Sequence, residues 1–542
     1  MTQVIIPAAG NNHSRIFALA SDIPDALIPI NGRPVLDYIL EELEKQKMKD
    51  IIIVTTKHQQ ELFSVIFRKY KQKFNISILP IDKSTSLLDT IAAAKSKLVS
   101  EDVLVALSDT IFSVDIDFSQ SVLYFDTTKE AFRWCLAEQN KDGSVKSLVD
   151  KPKNYPPGQH KALIGVYYFK DSNLFFECLS EAIGEQRTEI SAPIMKMIEK
   201  GHAIFLKKSN RWIDCGSIDN YFKAKRTLIQ SRHFNNLKVN ETYGVLSKRS
   251  RKKEKLLQEY EWYTALPMEL QSFTPRVFSY KDEGEMSCLD MEYYGYSSLS
   301  EYFVYTTLPF DLWESILDHV FEVIDLFYSK KGKLNETDFE SIYRGKNIER
   351  VKMLEETSQE WKERIERDSW EVNGTKCAGY KQLMEYLEGQ RFYREPDICI
   401  SHGDLCFTNI LYDINGHTMK LIDPRGAFGR KGIYGDIKYD LAKLRHSAHG
   451  GYDFIVNDLF EIQEDGNSIR YEIYENKTAK KISDSIDRRI TEMGYDIKTI
   501  QAIEGMLFLS MIPLHSDKPE RQKIMNAKAL EILSEVFYEN RS

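Results

Sequence analysis

The chain has 542 residues, more than one hydrophobic core usually serves, so we expect at least two domains. A net charge of -8 and a pI near 5.9 argue against a general nucleic-acid-binding protein, which is usually basic. Seven cysteines without a CxxC pair argue against a disulfide framework or a zinc site. We read no signal peptide and no membrane-spanning run in the sequence, so the expected location is the cytoplasm.

The first 230 residues alternate short β-branched runs with helical patterns. Strands are predicted over residues 4–6, 51–55 and 103–107, and a helix over residues 35–45. This alternation is typical of an α/β domain with a parallel, helix-covered sheet. The pattern changes to long helices and a small mixed lobe after residue 230, so the predicted domains are 1–235 and 236–542.

The segment VIIPAAG (residues 4–10) reads as a strand that runs into a small-residue turn, with Arg15 beyond it. Such a turn lets backbone amides approach a triphosphate. Two carboxylates, Asp109 in LSDT and Asp214 in WIDCG, follow or lie in other predicted strands. Two carboxylates from separate strands are the minimum needed to hold a metal ion across a triphosphate.

These segments resemble the sugar-phosphate nucleotidyltransferases, whose pattern is AAGxGTR followed by PKxLxPxxGxP, over about residues 1–225. The resemblance implies a Rossmann-like domain that couples a sugar phosphate to a nucleoside monophosphate. It implies these roles by position: Ala9 and Gly10 at the nucleotide, Arg15 as a catalytic cation, Asp109 and Asp214 at magnesium, Lys151 at the acceptor phosphate, and Gly165 and Glu189 beside the sugar.

The N-terminal segment departs from the family pattern at two places. The glycine-rich turn is GNNHSR (residues 10–15), and Asp25 stands where the family has a lysine. An acid at that position would repel a triphosphate where the family supplies a cation. Two interpretations therefore remain: an active nucleotidyltransferase, or a non-catalytic domain that binds a nucleotide or a substrate.

The C-terminal half contains HGDLCFTN (residues 402–409) and then LID (residues 421–423). Phosphoryl transfer needs a positioned hydroxyl and metal ions that neutralise the phosphates. Asp404 can accept the hydroxyl proton, and Asn409 and Asp423 carry the hard oxygen ligands that magnesium prefers. The spacing therefore indicates a kinase site.

This half resembles the aminoglycoside phosphotransferase and choline kinase superfamily over about residues 236–450, which implies a protein-kinase-like α+β fold. GDIKYDLA (residues 435–442) is similar to the family's downstream segment, in which Asp440 would brace the catalytic loop. Position in the family pattern implies that Glu292 and Tyr293 form the hinge to the adenine and that Glu259 pairs with the phosphate lysine. Lys248 is the candidate for that lysine, with an ordinary surface lysine as the alternative.

Together the two halves predict a bifunctional transferase that phosphorylates a small hydroxylated acceptor and then attaches a nucleotide, releasing pyrophosphate. The expected cofactors are Mg2+ and ATP or another nucleoside triphosphate, with CTP as a candidate for one half. The expected partners are small-molecule substrates and nucleotides, in surface polysaccharide or head-group synthesis. A sugar, a polyol and an amino alcohol stay open as acceptors, as does the oligomeric state. Four aromatic residues are interpreted either as a cage for a quaternary ammonium group or as ordinary core: Trp361, Trp370, Tyr380 and Tyr386.

Overall fold

The computed structural model describes residues 2–10, 23–229, 236–389 and 396–539. The chain divides into two compact units, Met1–Leu228 and Ile229–Ser542. Each unit is described by itself.

The strands of the first unit are β1 (Gln3–Pro7), β2 (Pro29–Ile30), β3 (Arg33–Pro34), β4 (Asp50–Thr56), β5 (Asn75–Ile81), β6 (Val103–Ala106), β7 (Thr110–Ser113), β8 (Ser121–Thr128), β9 (Cys135–Gln139), β10 (Val145–Asp150), β11 (His160–Phe169), β12 (Ile204–Lys208) and β13 (Arg211–Asp214). Its helices are α1 (Val35–Lys45), α2 (Gln60–Arg68), α3 (Leu87–Ala93), α4 (Ser172–Gly184), α5 (Ser191–Glu199) and α6 (Ile218–Ile229).

A mixed sheet forms the centre of this unit, in the order β10-β9-β11-β6-β1-β4-β5, with β8 beside β11 and β12 beside β8. The predicted parallel pairing is correct for β1, which lies between β4 and β6, and for β4 with β5. It is wrong for β9, β10 and β11, which pair with their neighbours antiparallel. A short turn joins β9 to β10, and a connection without a crossover allows only the antiparallel arrangement.

The strands of the second unit are β14 (Asn236–Asn240), β15 (Val245–Ser250), β16 (Val277–Asp282), β17 (Ser287–Glu292), β18 (Ser297–Ser298), β19 (Ser369–Val372), β20 (Thr375–Ala378), β21 (Ile398–Ile400), β22 (Ile410–Asp413), β23 (Thr418–Leu421), β24 (Ala427–Phe428), β25 (Arg430–Lys431), β26 (Tyr434–Asp436), β27 (Phe460–Asp465) and β28 (Ser468–Ile473).

The helices of the second unit are α7 (Lys253–Ala265), α8 (Met268–Gln271), α9 (Leu299–Tyr305), α10 (Phe310–Tyr328), α11 (Glu336–Glu340), α12 (Lys346–Thr357), α13 (Gln359–Glu366), α14 (Tyr380–Glu388), α15 (Ile437–Ala448), α16 (Tyr452–Val456), α17 (Ala479–Glu492), α18 (Ile497–Met511) and α19 (Pro519–Glu539). A short π-helix, Ser341–Gly345, leads directly into α12.

The small mixed lobe that the sequence predicts is a four-stranded antiparallel sheet, β14-β15-β17-β16, with α7 packed beside it. Helix α7 begins at Lys253, and it buries Leu256, Glu259, Trp262 and Tyr263 on one side. The spacing of three and four residues between these positions keeps them on one helical face. Glu259 is thereby directed toward the interior of the lobe.

A second four-stranded sheet, β20-β19-β28-β27, lies where the sequence pattern predicted long helices. Its first hairpin turns at Asn373 and Gly374, which have φ of 49° and 80°. Two successive positive φ values are typical of the tight hairpin turn that an Asn-Gly pair favours. The signal for this hairpin was present in the sequence and was missed.

One apolar helical segment of the described residues, Ile497–His515, is long enough to cross a membrane, but 67% of it is buried inside the protein. It packs against α15 and α19. The burial identifies this segment as a core helix of the second unit.

Candidate functional site

In the first unit the turn after β1 lies at the carboxyl end of a central strand. Ala8 and Ala9 are buried, Gly10 is exposed, and the backbone N–H of Ala8 donates to the Val54 carbonyl of β4 at 2.7 Å. Nucleotide sites of open α/β sheets lie at such strand ends. Arg15 lies outside the described residues.

Asp109 and Asp214 are brought together by the pairing of two short strands. β7 and β13 are antiparallel with Asp214 opposite Thr110, and the N–H of Cys215 donates to the Asp109 carbonyl at 2.8 Å. A Cβ built on Gly216 would lie 2.6 Å from Asp109 Oδ2 and 3.6 Å from Asp214 Oδ1. The two carboxylates therefore flank the same glycine, as a shared metal ion requires.

Burial raises the pKa of Asp109, and burial together with the Asp109 charge raises the pKa of Asp214 to about 7. Asp25 faces the same pair: burial and then the charges of Asp109 and Asp214 raise its pKa to about 8. Asp25, the acid at the position of the family's lysine, is therefore the third aspartate of a cluster with Asp109 and Asp214. Since its pKa lies above 7, it is largely neutral at pH 7 in the metal-free domain.

The predicted acceptor-phosphate residue, Lys151, lies on the surface after β10. Its backbone is left-handed at φ 41°, and its Nζ is 3.9 Å from Oε1 of Glu189. A left-handed residue other than glycine is uncommon and is enriched at functional sites. Gly165 lies in β11 beside Leu107, and Leu107 precedes Asp109 by two residues, so Gly165 and Asp109 border the same part of the sheet.

In the second unit Asp440 braces the loop that contains Asp404. Its carboxylate accepts from Ser401 Oγ at 2.9 Å and from the backbone N–H groups of His402 and Gly403, both at 2.8 Å. This is the bracing role that the sequence predicted for Asp440. Trp262 of α7 adds a further tie, with its Nε1 donating to the Ser401 carbonyl at 2.9 Å.

Asn409 and Asp423 are held side by side by the hairpin of β22 and β23. Ile410 pairs with Leu421, and the Ile422 N–H donates to the Asn409 carbonyl at 3.0 Å. The Asn409 amide nitrogen donates to the Asp404 carbonyl at 2.8 Å and to Asp404 Oδ2 at 3.2 Å. That contact directs the nitrogen toward Asp404 and leaves the amide oxygen for a cation.

Asp423 has a left-handed backbone, with φ of 56°. The conformation costs energy for a residue with a side chain, so it persists only where surrounding contacts hold it. The Tyr263 hydroxyl accepts from its N–H at 3.1 Å, and Lys248 Nζ lies 2.6 Å from its Oδ1. Two residues of the small lobe, Tyr263 of α7 and Lys248 of β15, therefore hold Asp423 in this conformation.

The predicted pair of Lys248 and Glu259 is present. Lys248 Nζ lies 2.7 Å from Glu259 Oε2, and both side chains are buried. Burial alone would lower the pKa of Lys248, but Asp423 and Glu259 raise it. Burial raises the pKa of Glu259 to about 7 despite the lysine. Lys248 is therefore a buried, permanently charged cation and not an ordinary surface lysine.

Lys443 of α15 was missed by the sequence reasoning. Its Nζ lies 2.8 Å from Asp404 Oδ1. Burial would raise the pKa of Asp404, but the Lys443 charge outweighs it and lowers that pKa to about 2. A lysine directly after DLA in a helix has no distinguishing sequence signal, so only the packing of α15 against the loop could identify it.

These side chains line one cleft of about 760 Å3 in the second unit. Its lining includes Lys248, Glu259, Asp404, Asn409 and Asp423. Glu292 and Tyr293 are not among the lining residues. Their N–H groups donate to the carbonyls of Arg276 and Gly244, both at 2.8 Å. The adenine-hinge role of Glu292 and Tyr293 stays a prediction.

The interpretation of four aromatic residues as a cage for a quaternary ammonium group is wrong. Trp361, Trp370 and Tyr380 are buried in the core of the second unit, and Tyr386 donates its hydroxyl to the Val536 carbonyl at 3.3 Å. None of the four borders the cleft described above. The core interpretation is correct for Trp361, Trp370 and Tyr380, whereas Tyr386 is half-buried.

Among the described residues no three His, Cys, Asp or Glu side chains are arranged to hold a metal ion by themselves. Each candidate site instead offers two oxygen-bearing side chains: Asp109 with Asp214, and Asn409 with Asp423. Magnesium commonly binds one or two protein ligands and completes its shell with substrate phosphates and water. Both donor pairs therefore fit magnesium bound together with a nucleotide.

Comparison with known proteins concerns the first unit. Residues 3–231 match the family model described as "Nucleotidyl transferase". The bifunctional protein GlmU of Methanococcus maripaludis is 24% identical over 217 residues, which are 39% of this chain and 51% of that protein. A D-glycero-alpha-D-manno-heptose 1-phosphate guanylyltransferase of Campylobacter jejuni is 32% identical over 117 residues, 21% of this chain and 50% of that protein.

Among solved structures, HddC from Yersinia pseudotuberculosis aligns with a TM-score of 0.35 and 18% identity, over 42% of this chain and all of that chain. The low-salt glycan biosynthesis nucleotidyltransferase Agl11 of Haloferax volcanii is 23% identical over 41% of this chain and 65% of its own length. The chain thus spans about half to two thirds of the length of the GlmU, guanylyltransferase and Agl11 proteins that it matches. The part of the chain that is similar to nucleotidyl transferases is thus residues 3–231.

Proposed function

We propose that the chain is a bifunctional transferase whose second unit phosphorylates a small hydroxylated molecule and whose first unit attaches a nucleotide to the new phosphate. The observation that supports the kinase half is the convergence of Lys248, Asp404, Asn409 and Asp423 on one cleft. The fold of the second unit is proposed to be kinase-like, because a small β-lobe with a Lys–Glu pair stands beside the braced loop.

In the kinase step the acceptor hydroxyl oxygen attacks the γ-phosphorus of ATP. The bond from that phosphorus to the β,γ-bridging oxygen breaks, ADP leaves, and the hydroxyl proton passes to Asp404. With its pKa near 2, Asp404 is ionised at pH 7 and can accept a hydrogen bond from the hydroxyl. Lys248 would hold the transferred end of the triphosphate by charge.

In the nucleotidyl step an oxygen of the acceptor phosphate attacks the α-phosphorus of a nucleoside triphosphate. The bond to the α,β-bridging oxygen breaks, and pyrophosphate leaves. Ala9 and Gly10 would approach the triphosphate through their backbone, and Lys151 would bind the acceptor phosphate. The names of relatives that act on a heptose 1-phosphate or on glucose 1-phosphate support a sugar phosphate as the class of substrate.

At both sites bound Mg2+ would neutralise phosphate charge and orient the triphosphate. Asp109 and Asp214 would hold it in the first unit, and Asn409 and Asp423 in the second. The order of the two steps follows from their chemistry, because a phosphorylated acceptor is the substrate that a nucleotidyltransferase uses. We propose synthesis of an activated donor for surface glycans in the cytoplasm.

The test is to incubate the full chain with Mg2+, ATP, a second nucleoside triphosphate and a panel of acceptors, and to follow ADP and pyrophosphate separately. Asp109→Ala should abolish pyrophosphate release and leave ADP release intact. Asp404→Ala should abolish ADP release and leave pyrophosphate release from a supplied sugar 1-phosphate intact. If neither product forms with any acceptor, the proposal fails.

A second candidate keeps the kinase but makes the first unit a binding domain. The position of Asp25 beside Asp109 and Asp214 favours it, because the family's cation is replaced there by a third acid. Calorimetry with each nucleoside triphosphate, with and without Mg2+, distinguishes the two. Magnesium-dependent binding together with pyrophosphate release supports the enzyme, whereas binding without turnover supports the binding domain.

A further inference from the structure

The cleft of the second unit contains more positive charge than the proposed kinase step uses. Three acids line it: Glu259, Asp404 and Asp423. Seven cations line it: Lys248, Lys252, Lys255, Lys346, Arg350, Arg425 and Lys443. An excess of cations in a partly enclosed cleft is a site for an anion.

The three acids are already paired. Lys248 contacts Glu259 and Asp423, and Lys443 contacts Asp404. In the part of the chain that the structure describes, no carboxylate forms an ion pair with the cations Lys255, Lys346, Arg350 and Arg425.

Lys346 and Arg425 both contact the hydroxyl group of Tyr439. The Tyr439 hydroxyl lies 3.0 Å from Lys346 Nζ and 3.0 Å from an Arg425 terminal nitrogen. Arg425 packs against the loop that contains Asp404: its N–H donates to the His402 carbonyl at 2.9 Å, and a Cβ built on Gly403 would lie 2.7 Å from the Arg425 Cβ. Gly403 directly precedes Asp404, so this pair of cations lies beside the proposed site of proton transfer.

Arg350 extends the same surface. It lies four residues after Lys346 in α12, and this spacing places both side chains on one face of the helix. Its buried Nε has no hydrogen-bond partner among the described residues. A buried donor without a partner costs free energy, which a bound anion would recover. The π-helix before α12 contributes Ser341 and Ile342 to the same cleft, and such segments are frequent at functional sites.

We propose that Lys346, Arg350 and Arg425 bind an anionic group of the acceptor, so that the molecule phosphorylated by the second unit already carries a phosphate or a carboxylate. The proposal rests on the kinase function proposed above and names its substrate class. It excludes choline-like and other cationic amino alcohols, which these three charges would repel.

The nucleotide does not account for these charges. Lys248, the proposed phosphate lysine, interacts with Asp423 and Glu259, whereas the charges that act on Tyr439 are Lys346, Arg425 and Lys443. The two groups are therefore separate, one on the small lobe and the other on α12, α15 and the segment after Asp423. Asp404 contacts Lys443 of the second group, as expected if that group surrounds the acceptor.

The pKa shifts of these residues show that the cations repel one another. Burial lowers the pKa of Lys346, the Tyr439 oxygen opposes this, and the charges of Arg425 and Lys443 lower it further. Burial also lowers the pKa of Lys255, and the charges of Lys252, Arg425 and Arg350 add to the effect. Cations that depress each other's pKa in this way are stabilised by an anion placed between them.

The experiment compares acceptors that share hydroxyl groups and differ in charge: glucose, glucosamine, glucuronate and glucose 6-phosphate. ADP release is measured with the full chain and MgATP. We expect kcat/KM to be at least about tenfold higher for an anionic member than for the neutral one, the difference made by one charge-assisted contact.

Lys346→Met should remove that preference mainly through KM. Lys352→Met, an exposed lysine of the same helix, is the matched control and should not change it.

A binding measurement separates this inference from the kinase proposal. Inorganic phosphate is titrated by calorimetry into the chain saturated with an imido analogue of ATP. Binding that Lys346→Met weakens and Lys352→Met does not supports the anion site, even if no acceptor turns over, in which case the kinase proposal fails instead. A preference for glucose or glucosamine overturns the anion site and leaves the kinase standing. Phosphate binding that is absent, or equal in the three proteins, also overturns it.

Discussion

Lys443 Nζ and Asp404 Oδ1 form an ion pair of 2.8 Å that joins helix α15 to the loop before β22. The pair sets the charge of the proposed base, because without it burial would raise the pKa of Asp404. The lysine also neutralises a carboxylate that would otherwise repel an anionic acceptor. One contact thus links the proposed proton transfer to the proposed substrate class.

We therefore predict that Lys443→Met raises the pH at which kcat/KM falls on the acid side of its pH profile. The midpoint should move from near pH 2 toward or beyond the ordinary pKa of an aspartate. Removal of the cation leaves burial opposed only by the smaller effects of His402 and Arg425, so Asp404 becomes protonated at higher pH. Lys443→Arg keeps the charge and should keep the acid limb. The measurement is ADP release across pH, and an unchanged limb in Lys443→Met contradicts the assignment.

Tyr439 should ionise near neutral pH in the free protein. Burial would raise its pKa, but Lys346, Arg425 and Lys443 lower it to about 7. The difference in absorbance near 295 nm between the wild type and Tyr439→Phe should therefore titrate close to pH 7, about three units below an ordinary tyrosine.

The same shift fixes the sign of a stability effect. Between about pH 7 and 10 the unfolded chain keeps the tyrosine proton that the folded protein has released, so stability relative to Tyr439→Phe rises with pH. Urea unfolding at several pH values measures this. A difference that falls with pH over that range contradicts the cationic surroundings of Tyr439.

Asp109→Asn should stabilise the first unit in the absence of metal while abolishing pyrophosphate release. Asp25, Asp109 and Asp214 have raised pKa values because they are buried near one another, so removing one charge relieves repulsion. We expect a gain of roughly 1 kcal/mol at pH 8, or about 2–4 °C in melting temperature. The melting temperature is measured in EDTA.

Adding Mg2+ with a nucleoside triphosphate should reverse this order, because bound ligand stabilises the wild type and not Asp109→Asn. Asp82→Asn is the control: this aspartate is 83% exposed and pairs with Lys57 on the surface, where an ion pair contributes little. If Asp109→Asn melts below the wild type in EDTA, the carboxylates are not in mutual repulsion.

The residues predicted from sequence share one property: their neighbours in the chain position them. Asp404, Asn409 and Asp423 lie within one loop and one hairpin, so local spacing was enough to foresee their meeting. The pair of Lys248 and Glu259 was foreseen because a strand and the following helix form a single local unit.

The residues that were missed come from separate helices. Lys346 and Lys443 are ordinary helical lysines by their spacing, and only the packing of α12 and α15 around the cleft distinguishes them from surface residues. The sheet formed by β19, β20, β27 and β28 was missed for a related reason. Strands β19 and β28 of this sheet pair in parallel although about a hundred residues separate them in the chain, and no local sequence pattern predicts such a pairing.

Gly403→Ala should inactivate the kinase half while leaving the nucleotidyltransferase half active. Gly403 has φ of 76°, and a Cβ there would lie 2.7 Å from Arg425 Cβ. The substitution therefore adds a clash to the roughly 1–2 kcal/mol that a left-handed alanine costs. Arg425 must move, and Asp404 moves with the loop, so ADP release should fall by about a hundredfold or more.

Gly284→Ala is the matched control, since Gly284 has φ of 87° but nothing lies within 4 Å of its added Cβ. It carries the same backbone cost without the clash and should lower stability slightly with little loss of ADP release. Pyrophosphate release from a supplied sugar 1-phosphate checks that the first unit is intact in both variants. If Gly403→Ala retains ADP release comparable to Gly284→Ala, the contact between Gly403 and Arg425 does not position Asp404.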